Sequence, residues 1–176
     1  DYVIAQLETP IDDVYNLLVA AKEAKKVTIL NPAPAPDTIP DLVLSHIDFL
    51  TPNETELAKV AGMPTETIPE ITAAAEALLQ RGVGNVLVTV GSRGALLCNR
   101  NGSHLYAAYP QKAVDTTAAG DTFNAAFAVA LAEGWTMDEA IVFANAAAGL
   151  SVTRKGAQTS IPCRSEVLDF MRDHAL

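Results

Sequence analysis

Residues 114–126 read VDTTAAGDTFNAA, with Asp115 and Asp121 at either end of Thr-Thr-Ala-Ala-Gly. Neither carboxylate has a basic neighbour in sequence to balance it. If a helix begins at this point, its first turn carries unpaired backbone N–H groups and the positive end of the helix dipole, so it attracts anions wherever no bulky side chain blocks approach. Ala118, Ala119 and Gly120 keep that approach open. Asp121 then sits beside a bound anion, placed to take a proton from a hydroxyl that attacks it. This is the layout of phosphoryl transfer, in which positioning and charge stabilisation do most of the work. By residue type alone, the same stretch also suits a plain helix cap with small residues for close helix–sheet packing.

Two further segments carry related signals. TPNETE (residues 51–56) follows an apolar run and opens a helical pattern, which puts Asn53 and Glu56 at the carboxyl edge of a sheet, the ligand edge of open α/β folds. An amide and a carboxylate at that spacing suit a magnesium ion that keeps most of its waters, and they equally suit a helix capping box. VTVGSRG (residues 88–94) ends another apolar run with two glycines, either a nucleotide turn or a simple glycine turn. No GxxxxGK[ST] phosphate loop occurs in the chain.

The elements that must hold these residues follow from the alternation of short β-branched runs with longer segments of helical period, the pattern of βα units around a mostly parallel sheet. The class is α/β. Strands are predicted over 2–7, 27–31, 47–51 and 86–90, and a hairpin over 96–99 and 105–108 across Asn-Arg-Asn-Gly. Helices are predicted over 11–24, 54–61, 69–81, 119–133, 137–152 and 165–173, with Gly62, Gly82 and Gly134 at helix ends. The proline-rich stretch at 31–40 reads as a rigid extended loop after a strand.

Composition narrows the function. The 176 residues hold 12 Lys and Arg against 21 Asp and Glu, a formal net charge of −9, and the basic pairs Lys25-Lys26 and Arg154-Lys155 stand apart. Nucleic acid is therefore not an expected partner. No apolar run reaches the roughly 18 residues of a membrane helix, so no membrane association is expected. Cys98 and Cys163 lie far apart without metal-ligand spacing, which fits a reducing cytoplasm. The opening, DYVIAQLETP, enters at once into a strand-like run without Met or a leader pattern, and reads like the middle of a protein.

Taken together, DTTAAGDTFNAAF, LNPAPA, TPNETE, VTVGSRGA and VTRKGAQTSIP resemble, in order and spacing, the ribokinase-like family of sugar kinases, and the resemblance runs over essentially all of the chain. It implies a three-layer α/β/α fold with a Rossmann-like sheet, and ATP-dependent phosphorylation of the 5-hydroxyl of D-ribose with Mg²⁺ and K⁺. Asp121 matches the catalytic base and Ala118, Ala119 and Gly120 the anion hole. Asn53 and Glu56 match the residues at the magnesium–phosphate end. Thr89, Gly91, Ser92 and Gly94 match the nucleotide turn, and Asn145 falls near the adenine. Glu8 matches an acid that contacts the sugar. Asp115 matches a ligand of the monovalent cation, with Thr117 and the loop bearing Ser151, Arg154, Gly156 and Ser160 contributing mostly through backbone.

The resemblance covers the C-terminal part of that family, here as one region over residues 1–176. The segments that supply the remaining sugar contacts and the β lid, through which a homodimer forms, have no counterpart in these residues. The expectation is a severed catalytic portion, inactive alone and prone to association through exposed apolar surface. A kinase for deoxyribose, fructose or a nucleoside, and a noncatalytic nucleotide-binding module, are the alternatives.

Overall fold

The computed structural model describes residues 1–174. Six strands form one sheet in the order β1 (Tyr2–Ala5), β2 (Val27–Leu30), β3 (Phe49–Leu50), β4 (Asn85–Thr89), β5 (Ala95–Asn99) and β6 (Gly102–Tyr106). The first four pair in parallel, with Ile4 opposite Ile29, Leu30 opposite Leu50, and Leu50 opposite Val86. Between them run α1 (Ile11–Glu23), the short α2 (Asp41–Leu44), α3 (Glu54–Ala61) and α4 (Ile68–Gln80). After the sheet come α5 (Ala119–Ala132), α6 (Met137–Ser151) and α7 (Arg164–Asp173).

The chain divides into two compact units. The first comprises Asp1–Val90 and Leu96–Leu105, and so contains nearly all of the sheet. Its core joins one sheet face to the crossover helices: Leu30, Leu50, Val86 and Val88 pack in one cluster with Leu18 of α1, Leu57 of α3, and Ile71 and Leu78 of α4. The alternate strand residues Ile29, Leu87 and Leu97 are buried as well, so both faces are covered, as the continuous apolar runs of a parallel sheet require. Helix ends are specified locally. Asn53 and Glu56 close a capping box on α3, as do Thr67 and Glu70 on α4, and Gly62 ends α3 in the left-handed region at φ 65°.

The second unit comprises Gly91–Ala95 and Tyr106–Leu176. In it α5 packs on α6 and α6 on α7. Phe123 and Phe127 of α5 stack at 6.4 Å, and Trp135 meets Phe143 at 5.3 Å beneath the Arg164 guanidinium, which also pairs with Glu133. Thr136 and Glu139 form the capping box of α6.

The predicted helices all form, with ends shifted by at most one residue. The hairpin differs more. Its turn is the two residues Arg100 and Asn101, with the Asn101 N–H donating to Asn99 Oδ1 at 2.8 Å, so β6 begins at Gly102 and ends by Tyr106 instead of running from 105 to 108. A two-residue turn permits immediate antiparallel pairing, which the polar Gly-Ser-His start of β6 concealed. The strand predicted over 47–51 is only Phe49–Leu50, because the Ile47 N–H bonds Leu44 O in the turn that closes α2.

Candidate active site

The start of α5 is built by its own residues. Ala118 holds φ 60° and ψ 15°, the left-handed conformation that alanine adopts at a cost, and as the N-cap residue it supplies no side-chain cap; the Ala119 N–H donates to Thr116 O at 3.2 Å. Where Asn53, Thr67 and Thr136 cap their helices with side-chain oxygens, position 118 offers a methyl group. The Thr122 N–H already reaches Ala118 O at 2.9 Å, so the first turn is formed. A side chain added at Gly120 would meet nothing within 4 Å, so packing does not require glycine there. Asp121 is exposed in that first turn.

Asp115 is held differently. One carboxylate oxygen accepts the Thr117 N–H and the other accepts the Gly156 N–H, both at 2.9 Å. The backbone adds to this tie, since the N–H groups of Val114 and Asp115 both donate to Val152 O, at 2.7 and 3.2 Å. The segment leading into α5 is thereby fixed to the turn that leaves α6. Hydrogen bonds from Thr117, then from Gly156, hold the Asp115 carboxyl down at about 2, below its ordinary 3.8. In the same turn Arg154 forks onto Glu166, at 2.7 and 3.5 Å, and its N–H donates to Ser151 O. That pairing, with the Cys163 N–H, takes the Glu166 carboxyl down to about 2. Ser151 and Ser160 are buried, with hydroxyls on the carbonyls of Ala148 and Ala157.

Gly91, Ser92 and Gly94 lie in and just after a 3₁₀ turn, Gly91–Arg93. Gly94 has φ 106°, and a Cβ there would stand 2.0 Å from Tyr106 O and 2.6 Å from Ala108 N. Its small size is required by the close approach of the loop at Tyr106–Ala108. Asn145 is buried on α6 and donates to the carbonyls of Tyr106 and Ala107, at 3.2 and 3.3 Å, so it steadies that same loop.

In the first unit, Asn53 and Glu56 face each other: Glu56 N–H donates to Asn53 Oδ1 and Asn53 N–H to Glu56 Oε2, each at 2.8 Å. Thr89 stands beside them, since its N–H donates to Pro52 O at 3.0 Å and it bridges Asn53 in parallel. TPNE and VTVG, 36 residues apart from Asn53 to Thr89, are thus neighbours at the carboxyl edge. Glu8 is exposed just beyond β1, at the same edge. Among the described residues no group of three or more His, Cys, Asp or Glu could hold a metal ion, and no helix is long and apolar enough to cross a membrane. At this edge Gln6, Asn31 and Thr51, the last two inside the LNPAPA and TPNETE stretches but given no role of their own there, bond one another across the strand ends.

Residues 3–164 match the pfkB family of carbohydrate kinases. The chain belongs to that family. Ribokinase from Haemophilus influenzae is 42 % identical over 175 residues, which cover 99 % of this pfkB-family chain and 56 % of that protein. Deoxyribokinase from Salmonella typhi is 36 % identical over 169 residues, 96 % of this chain and 55 % of its own length. The structure of Arabidopsis thaliana ribokinase complexed with ribose and ATP superposes with a TM-score of 0.93 at 42 % identity, over 97 % of this chain and 55 % of that one. The α/β/α fold is therefore that of the ribokinases, and the chain spans about half the length of the curated relatives it matches.

Proposed function

We propose that this chain carries the catalytic portion of an ATP-dependent kinase that phosphorylates D-ribose at its 5-hydroxyl. The observation that carries the reading is the start of α5: a formed first turn with no capping side chain, open space before Gly120, and a carboxylate, Asp121, in the same turn. Asp121 takes the proton of the attacking hydroxyl as the bond to phosphorus forms, and an ordinary carboxylate suffices because that proton is lost late to a base already in place. The N–H groups behind Ala118, Ala119 and Gly120 stabilise the negative charge of the transferred phosphoryl group. Asn53 and Glu56 would hold the magnesium–phosphate end, and Mg²⁺ bound there would neutralise charge on the phosphates. The Asp115 carboxylate, which accepts the N–H groups of Thr117 and Gly156 and is also bonded by the Thr117 side chain, is the anionic group that would share a potassium ion with Thr117 and the 151–160 loop. Thr89, Gly91, Ser92 and Gly94 would line the nucleotide, Asn145 would support the loop near its base, and Glu8 would meet the sugar. A cytoplasmic homodimer is the form proposed for the whole protein.

A second reading, phosphorylation of 2-deoxyribose, has the similarity to a deoxyribokinase in its favour. Release of ADP by the full-length protein, measured against ribose, 2-deoxyribose, fructose and a nucleoside with K⁺ or Na⁺, separates them. Highest kcat/KM for ribose, with stimulation by K⁺, is expected. Equal or higher kcat/KM for 2-deoxyribose would overturn the choice of sugar, and no turnover of any of them would favour a nucleotide-binding module without chemistry.

A further inference from the structure

At the carboxyl edge of the first unit's sheet, polar groups form one continuous row. Asn31 follows β2 directly and is buried, with 8 % of its surface exposed. Its Nδ2 donates to Thr51 O, just beyond β3, at 2.8 Å, and its Oδ1 accepts from Gln6 Nε2, just beyond β1, at 3.3 Å. The backbone follows the same path. Asn31 N–H reaches Ala5 O at 3.0 Å, Thr51 N–H reaches Leu30 O at 2.9 Å, and Thr89 N–H reaches Pro52 O at 3.0 Å. Four strand ends are linked in this way past the point where the regular ladders stop.

The two ends of the row are the segments with assigned chemistry. Gln6 lies two residues before Glu8, and Thr51 two residues before Asn53. A buried amide that has both its donor and its acceptor engaged cannot move toward one neighbour without straining its bond to the other. A shift of the Glu8 segment around a sugar therefore bears on the backbone that presents Asn53 and Glu56.

We propose that Asn31 is a positioning residue that couples the sugar-side segment at Gln6–Glu8 to the phosphate-side pair Asn53–Glu56, so that occupancy of one raises affinity at the other. The inference rests on the kinase reading above. Coupling of this kind is reciprocal, and it is lost when the connecting group is replaced even if each site survives alone.

The test is calorimetric titration of the full-length protein with D-ribose, alone and in the presence of a nonhydrolysable Mg·ATP analogue. Unsubstituted protein, Asn31→Asp and Gln6→Met are compared. Asn31→Asp keeps the acceptor toward Gln6 and loses the donor toward Thr51 O. Gln6→Met removes the other bond at a half-buried strand end, where folding is least at risk. In the unsubstituted protein the analogue is expected to tighten ribose binding about fivefold or more, the lower end of ordinary site coupling. In both variants that factor should fall below about twofold while the affinity for each ligand alone stays within about threefold, a pattern that general structural damage does not produce. Coupling that persists in Gln6→Met, or its absence from an unsubstituted protein that binds both ligands, overturns the proposal. Binding of neither ligand by the unsubstituted protein would instead refute the kinase reading, and the coupling with it.

Discussion

Replacing Asp121 with Asn keeps the size of the side chain and removes its capacity to take a proton. In the full-length enzyme Asp121→Asn should lower kcat by about a thousandfold, within the range of general-base contributions, while the affinity for an ATP analogue changes by less than about threefold. A variant with near-normal kcat would remove Asp121 from the chemistry. Asp115 makes a prediction in pH. Its folded-state value of about 2 lies below its ordinary 3.8, so the stabilisation it gives the loops is present above 3.8 and is lost as pH falls through about 2. Carbon-detected NMR of the Asp115 carboxyl should show a midpoint near 2, and a midpoint near 3.8 would mean that the Thr117 and Gly156 bonds do not persist in solution. At this scale the sequence was informative where neighbours in sequence are neighbours in space. The Asn53–Glu56 pair and the opening of α5 are both local. The Gly156 bond to Asp115 spans 41 residues and the Asn31 bond to Gln6 spans 25, and no periodicity announces either.

Glycines at the ends of elements separate two physical roles that look alike in sequence. Gly94→Ala would press a Cβ into Tyr106 O at a backbone angle that alanine tolerates poorly. It should destabilise the fold by about 2 to 4 kcal/mol, seen as a lower midpoint in urea. Gly120→Ala meets open space in a helical first turn, so its stability should stay within about 1 kcal/mol of the parent. If phosphate binds there, the added methyl group should nonetheless weaken ATP-analogue binding. The reverse ordering of the two stabilities would contradict the geometry at these ends. Truncation of a fully buried core residue, Leu78→Ala in α4, should cost about 2 to 5 kcal/mol in the same assay. Helices were legible because caps and apolar period are local signals. The two-residue β3 and the polar start of β6 were not, because their pairing is decided by strands elsewhere in the chain.

For the molecule as a whole, a net charge of −9 and mean hydropathy of +0.19 describe an acidic protein with a large apolar core. The α/β class followed from alternation of period, but the division into two compact units has no marker in composition: the boundary cuts between Val90 and Gly91 and again within the β5–β6 region, where no linker-like stretch occurs. The central claim is that the start of α5 and the loop fixed by Asp115 form a phosphate site served by a monovalent cation. Calorimetric titration of this 176-residue chain with a nonhydrolysable ATP analogue and Mg²⁺, in K⁺ and again in Na⁺, tests it most directly. Saturable binding, at one analogue per chain and tighter in K⁺, is the predicted result. Absence of saturable binding in either salt, or binding left unchanged by Asp115→Asn and by exchange of K⁺ for Na⁺, would contradict it.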